Sequence, residues 1–128
     1  MWELKEDFAN KTRLAQYAKK HRAEYTACFA NLGRLHEALA GGLTLQQCTF
    51  GFFGSEGMDI YRIGQSGVPH AHETRLYIYA AITGGEIQVL TIGDKKSQSA
   101  DIRWCHAQSQ VIRNQKRENH GETAGNDE

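Results

Sequence analysis

The chain has 128 residues, of which 40% are hydrophobic and 23% charged, and its 15 basic and 15 acidic residues balance to a formal net charge of zero. This length suits a single domain with one hydrophobic core. A neutral chain is unlike the proteins that bind nucleic acid through a strongly basic surface. No apolar run approaches the ~20 residues that a membrane helix needs, so we expect no membrane partner.

Residues 11–40 carry the strongest helical pattern. Apolar residues recur there at alternating steps of four and three, which is the spacing of one helix face. The stripe consists of Leu14, Ala18, His21, Tyr25, Cys28, Leu32, Leu35 and Leu39. It allows one long helix or two helices broken around residues 19–22, and Gly41 and Gly42 end it. The stripe suits a cover for a sheet, although its spacing also allows a coiled-coil seam and hence a homodimer.

Four later segments are rich in β-branched and aromatic residues and predict strands, at 49–53, 58–63, 74–82 and 86–92. In the third segment, alternation gives one apolar face that suits a helical cover and one mixed face that suits contact with a ligand. The apolar face holds Leu76, Ile78, Ala80 and Ile82, and the mixed face holds Arg75, Tyr77, Tyr79 and Ala81. Two glycines in residues 83–86 predict a type I′ turn, so the last two strands should be antiparallel neighbours.

The C-terminal part predicts a short helix over residues 100–113 and then a tail. Residues 117–128 contain one Arg against four acids and carry a charge of minus three. We therefore expect one α+β domain over residues 1–113 and a polar, acidic, disordered tail over 114–128.

The three cysteines and the N-terminus indicate the compartment. The odd number and wide spacing of Cys28, Cys48 and Cys105 predict neither a disulfide framework nor a CxxC zinc site. The N-terminal MWELKEDF has acidic residues and lacks the apolar core of a secretory signal. We expect a cytoplasmic protein with buried thiols.

Several basic residues are candidates for binding an anion. Lys95 and Lys96 follow the last predicted strand directly, and clustered cations bind phosphate and stabilise the charge of phosphoryl transfer. Arg62 and Arg75 lie inside predicted strands, where an arginine fork needs a partner. That partner is either a substrate or a structural carboxylate such as Glu73 or Asp59.

The remaining candidates are aromatic or imidazole side chains. Tyr77 and Tyr79 can stack on bases, although cross-strand packing is the commoner use of such residues. His106 is either a general acid or base or a surface histidine. Residues 70–73, His-Ala-His-Glu, suggest metal ligands, but no second cluster completes a site, so we predict no metal. Nucleotide-binding and hydrolase motifs are absent, and no cofactor is predicted.

Three stretches of the chain together resemble the RelE/ParE/HigB superfamily of toxins from bacterial type II toxin–antitoxin systems. They are KKHRAEYTACFANLGRLHEAL (19–39), MDIYRIGQSG (58–67) and ETRLYIYAAITGGEIQVLTIGDKKSQSADI (73–102). The family pattern is a helical hairpin, a meander with arginines on its strands, and an aliphatic strand that ends in a basic turn. The resemblance lies in the order and spacing of these stretches rather than in one motif.

The resemblance implies a RelE-like fold, in which an N-terminal helical pair packs on an antiparallel meander with a short C-terminal helix. The family's first strand would come from MWELKEDF, through Trp2, Leu4 and Phe8. It further implies an RNA-binding endoribonuclease, a hydrolase that enters the ribosomal A site, cuts mRNA without a metal and so inhibits translation. The implied partners are a cognate antitoxin, the ribosome and mRNA.

The resemblance also implies roles for individual residues. The arginines would bind and neutralise the phosphate, the lysines would stabilise the transition state, and a terminal histidine would transfer protons. A glutamine would hydrogen-bond to a base or phosphate. The matching positions are Arg62 and Arg75, Lys95 and Lys96, His106, and Gln98.

Two other functions remain open from the sequence. Some members of the superfamily bind DNA gyrase and have no nuclease activity, so a non-enzymatic toxin that binds a protein is the alternative. The third hypothesis is a structural or regulatory domain that dimerises through the stripe of residues 14–39. Dependence of growth inhibition on Lys95 and Lys96 would distinguish the nuclease from both.

Overall fold

A computed structural model describes residues 2–69 and 71–126 of the chain. In chain order the elements are β1 (Glu3–Lys5), α1 (Lys11–Lys20), α2 (Arg22–Ala40), β2 (Phe53–Gly57), β3 (Ile60–Gly64), β4 (Thr74–Ala81), β5 (Glu86–Asp94) and α3 (Gln98–Asn126). The strands form one mixed sheet in the order β1-β5-β4-β3-β2, in which β1 runs parallel to β5 and the other pairs are antiparallel. The predicted α+β class is confirmed, and the antiparallel meander is extended by a parallel edge strand.

The N-terminal helical region is two helices, which settles one alternative of the sequence. The side chain of Asn10 caps α1 by accepting a hydrogen bond from Arg13 N, 3.1 Å away. The backbone leaves the helical region at His21, with φ −130° and ψ 60°, and α2 starts at the next residue. Gly41 is the C-cap of α2 and Gly42 has a positive φ of 106°, as expected for a glycine end.

The first core lies between the helical pair and one face of the sheet. The helices contribute Leu14, Cys28, Leu32, Leu35 and Leu39, and the strands contribute Ile63, Leu76, Ile78, Ala80, Ile87, Val89 and Ile92. These leucines are buried within the monomer. The apolar stripe is therefore the cover of the sheet, and it is not free to form a coiled-coil seam.

Several predicted strand boundaries differ from the structure. The largest difference is at 49–52, which is a loop whose Phe50 and Phe52 pack against the first core, so that β2 starts only at Phe53. β3 starts at Ile60 rather than at residue 58, and β5 ends at Asp94 rather than at residue 92. The β4–β5 hairpin forms as predicted, but only Gly85 of its two glycines has a positive φ, so the turn is not type I′. Ile82 lies in this connection and is exposed rather than part of the apolar face.

The C-terminal helix is much longer than predicted. It spans Gln98–Asn126, 29 residues, and so continues past residue 113 through most of the segment expected to be a tail. The residues that directly follow Arg113 include Gln115, Lys116, Arg117 and Glu118, which are good helix formers and continue the helix. Among the described residues, no helix combines the length and apolar character needed to cross a membrane.

Helix α3 covers the opposite face of the sheet and forms a second core. Ile112 and Cys105 of α3 pack there on Tyr77 and Tyr79 of β4. The face of β4 that was expected to meet a ligand is therefore mostly internal. Only its first residue, Arg75, stays outside this apolar cluster.

The three cysteines are free and buried, as predicted. Burial raises the pKa of Cys28 and of Cys105 to about 12 and also raises the pKa of Cys48. A thiol reacts as its thiolate, so we expect none of the three to react with DTNB at pH 8 in the native protein and all three to react in guanidinium chloride. Rapid labelling of any cysteine in the native protein would contradict this packing.

Candidate nucleic-acid interface

Two arginines lie on neighbouring strands at the end of the sheet that α3 leaves open. Arg62 of β3 pairs with Tyr77 of β4, and Arg75 of β4 pairs with Gly64 of β3. The arginines are thus diagonal neighbours on one face of the sheet. Both line an open cleft of about 560 Å³ beside the β3–β4 connection, which we call the arginine cleft.

Glycine makes room for the guanidinium group of Arg62. Gly54 of β2 is paired with Arg62, and a Cβ at Gly54 would stand 2.7 Å from the guanidinium carbon. Any side chain here would force Arg62 to another position. Because Gly54 has no side chain, the guanidinium group of Arg62 can lie close against β2.

Each arginine of the cleft has a carboxylate partner. Arg75 Nη2 donates to Glu73 Oε1 at 3.0 Å, which is the structural salt bridge considered from the sequence. Arg62 pairs with Glu56 instead of Asp59, whose carboxylate binds Arg113 at 2.8 Å. The Glu73 side chain is 60% exposed, and an exposed ion pair is worth about 0–1 kcal/mol, so an anionic ligand can replace Glu73 at little cost.

Two polar side-chain atoms are buried without a hydrogen-bond partner among the described residues, the Nη1 of Arg75 and the hydroxyl of Tyr77. Burial also raises the pKa of Tyr77. The Tyr77 ring is 0% exposed and belongs to the second core. It therefore has no free face on which a base can stack, which corrects the prediction that Tyr77 contacts RNA.

Removal of the buried Tyr77 hydroxyl is expected to increase the stability of the protein. A buried polar group without a partner costs about 1–3 kcal/mol, and Tyr77→Phe removes it while keeping the ring. We expect this variant to unfold in urea with a free energy about 1–2 kcal/mol higher than the wild type. A loss of stability would show that the hydroxyl is hydrogen-bonded in solution.

The lysine pair lies in the turn that joins β5 to α3. Asp94 N donates to Ser97 Oγ at 3.1 Å, and Ser97 N donates to Asp94 Oδ1 at 3.0 Å. These two hydrogen bonds join the first and last residues of the turn. Lys95 and Lys96 are exposed between these two residues. Within the described part of the chain, neither ammonium group has a carboxylate at ion-pairing distance.

A second cleft, of about 410 Å³, lies beside this turn and is lined by His72, Glu73, Asp94, Lys95 and Lys96. We call it the lysine cleft. Asp94 Oδ2 lies 2.9 Å from His72 Nε2. Because a carboxylate only accepts hydrogen bonds, Nε2 carries the proton and Nδ1 of the neutral ring is the basic nitrogen. In its neutral form His72 can therefore accept a proton only at Nδ1, beside two exposed lysines.

Contacts with the helical pair hold His72 in its position. The ring of His21, at the break between α1 and α2, stacks on His72 with 4.6 Å between centroids and 10° between planes. Glu24 Oε2 accepts a hydrogen bond from His72 N at 3.1 Å. These contacts join residues that are far apart in sequence, so from the sequence alone His72 was considered only as a metal ligand.

The pKa of Asp94 is lowered to about 2, first by the hydrogen bond from His72 and also by the backbone N–H groups of Ser97 and Lys96. An unfolded aspartate titrates near a pKa of about 3.9. The contribution of Asp94 to stability is therefore present above about pH 4 and is lost as the pH falls toward 2. In urea titrations we expect Asp94→Asn to flatten the fall in unfolding free energy between these pH values, and an unchanged profile would contradict this.

Gln98 and His106 take other positions. Gln98 is the first residue of α3 and is half-buried, directly after the lysine turn. His106 lies on α3, where its Nε2 is 2.7 Å from the carbonyl oxygen of Glu56. His106 thus fastens the β2–β3 hairpin to α3 and does not line either cleft, so the structure does not bring it together with the lysines.

The metal hypothesis finds no support in the described residues, among which no group of three or more His, Cys, Asp or Glu side chains is placed to hold an ion. His70, one of the histidines that suggested it, lies outside the residues that the structure describes. The four basic candidates, in contrast, line two clefts that share Glu73 in their linings.

The joined clefts can hold a phosphodiester between guanidinium and ammonium groups and remove a proton through His72. No protein-family model, no curated protein and no solved structure matches this chain.

Proposed function

We propose that this protein is the toxin of a type II toxin–antitoxin system and acts in the cytoplasm as a metal-independent endoribonuclease on translated mRNA. The observation that supports the proposal best is the junction of the arginine cleft and the lysine cleft at Glu73. The resemblance to RelE/ParE/HigB toxins supplies the substrate and the partners, which are mRNA on the ribosome and a cognate antitoxin.

The cleavage would use the 2′-hydroxyl of the RNA as nucleophile. His72 Nδ1 takes its proton while O2′ forms a bond to the adjacent phosphorus, and the bond from phosphorus to the 5′ oxygen breaks. The leaving oxygen takes a proton from a lysine ammonium of the turn. The products are a 2′,3′-cyclic phosphate and a 5′-hydroxyl end.

Charge stabilisation comes from the surrounding cations. Arg75 binds the phosphate when it displaces the exposed Glu73, and Arg62 adds its positive charge from the neighbouring strand. Lys95 and Lys96 neutralise the charge that develops on the phosphorane. The His72–Asp94 contact keeps the imidazole in the tautomer that accepts the proton. In this mechanism His72 takes the acid–base role that the sequence suggested for His106.

The test is a cell-free translation reaction with the purified protein, in which the ends of the mRNA are mapped with and without ribosomes. We expect cuts that need translation and leave 5′-hydroxyl ends, which polynucleotide kinase labels without phosphatase treatment. The Lys95→Ala/Lys96→Ala variant should lose the cuts. The matched control is Lys11→Ala/Lys19→Ala, which removes the same charge from exposed positions of α1.

Intact mRNA with full-length protein product would overturn the nuclease proposal. A lysine variant that still cuts, at the wild-type melting temperature, would overturn the assignment of the chemistry to this turn. In the first case, inhibition of DNA gyrase supercoiling would identify the non-enzymatic alternative.

A further inference from the structure

An aromatic pair next to the arginine cleft has no part in the proposed mechanism. Phe50 and Phe52 stack with 4.8 Å between centroids and 13° between planes, and both are only half-buried. The guanidinium carbon of Arg34, on the exposed side of α2, lies 5.5 and 5.3 Å from the two ring centroids. Two partly exposed phenyl rings therefore lie under a single charged side chain at the surface.

The pair lines a third cleft, of about 380 Å³, together with Arg34, Gly51, Gln65 and Ser66. We call it the aromatic cleft. Gly51, Phe52 and Gln65 also line the arginine cleft, so the two are continuous. This volume lies within the range of about 300–1,000 Å³ that small-molecule sites occupy.

Ser66 offers a hydrogen-bond donor at the rim of the aromatic cleft, in addition to the guanidinium group of Arg34. Ser66 Oγ accepts a hydrogen bond from Asn31 Nδ2 at 3.1 Å, so the hydroxyl hydrogen remains available for a ligand. The amide of Gln65 is engaged, because it donates to His72 O and accepts from Thr74 N. These hydrogen bonds fix Gln65, whereas the Ser66 hydroxyl hydrogen stays available to a ligand in the cleft.

We infer that the aromatic cleft is a stacking site for an unpaired nucleobase of single-stranded RNA. Flat rings and an arginine plane bind bases through their π-faces, and the neighbouring arginine cleft takes the adjoining phosphate. The inference rests on the proposed RNA substrate, and it places one base of that RNA, next to the cleaved linkage, in the aromatic cleft. The RNA strand then passes the aromatic cleft, the arginine cleft and the lysine cleft in this order.

The test measures binding of a fluorescein-labelled, 2′-O-methylated RNA octamer by anisotropy, which excludes cleavage. We expect Phe50→Leu/Phe52→Leu to weaken binding about tenfold or more, because each stacked base contributes that much, with no change in the slope of log Kd against log salt. Arg62→Ala should instead reduce that slope by about one, as expected for a lost phosphate contact. Phe50→Trp keeps a stacking face and should retain the affinity.

The outcomes separate the inference from the proposed function. The stacking site would be overturned by unchanged affinity in the double leucine variant, or by a wild-type protein that does not bind the octamer. The nuclease activity is tested independently, by the mapping of mRNA ends. Should the leucine variant unfold, quenching of Phe50→Trp fluorescence by the octamer decides instead. Equal quenching by an abasic octamer would also overturn the inference.

Discussion

Cleavage of mRNA by a His72→Gln variant is expected to be about 10²–10⁴-fold slower than by the wild type. Proton transfer by a positioned base contributes a factor of this size, and glutamine keeps the approximate shape of the side chain without a basic nitrogen. Asp94→Asn should also slow the reaction, because an amide no longer requires the proton to be on Nε2. The rate constant is measured on ribosome-bound mRNA at saturating protein.

The combined variant distinguishes a functional pair from two separate effects. Because His72 and Asp94 act together, the double substitution should be little slower than His72→Gln alone. The matched control is His106→Gln, whose ring lies outside both clefts and contacts the Glu56 carbonyl. A loss of activity in His106→Gln that equals the loss in His72→Gln would return the acid–base role to His106.

Substitution of Leu35 by alanine is expected to lower the free energy of unfolding by about 2–5 kcal/mol. Leu35 is 0% exposed and lies in the centre of the stripe that α2 packs on the sheet, so the change leaves a cavity in the first core. Equilibrium unfolding in urea, followed by circular dichroism, measures the effect.

The same experiment tests the two uses of the helical stripe. In a monomer the loss is independent of protein concentration, whereas a stripe that formed a dimer seam would make the unfolding midpoint rise with concentration. Leu43→Ala is the control, since this side chain is 44% exposed and should change the unfolding free energy by less than about 0.5 kcal/mol. A concentration-dependent midpoint in the wild type would restore the dimer hypothesis.

The neutral total charge of the chain conceals a local excess of positive charge at the clefts. Lys95 and Lys96 lack carboxylate partners in the described structure, and Arg75 pairs with an exposed glutamate that a ligand can displace. Binding of a phosphate backbone depends on the charges that reach it rather than on the sum over the chain. We therefore expect measurable but strongly salt-dependent affinity for single-stranded RNA.

Local pattern was sufficient for most of the elements. The 3.6-residue stripe of residues 14–39 identified the buried face of the helical pair, because one face of an amphipathic helix must be covered. Alternation identified β4 and placed Leu76 and Ile78 in the first core for the same reason. The positions of Arg62 and Arg75 on strands, and of Lys95 and Lys96 in a turn after β5, were likewise set by local sequence.

Only the tertiary structure decided which of these residues meet. Alternation along β4 predicted that Tyr77 lies on an exposed face, but α3 packs on that face and buries it. The sequence of a strand does not reveal whether a distant helix will cover it. His72 and Asp94 are 22 positions apart and are joined by the register of β4 with β5, which pairs Thr74 with Asp94. The sequence by itself thus determined most of the elements and the positions of the basic residues along them. Long-range pairing alone brought these residues together, because such contacts depend on the topology of the whole chain.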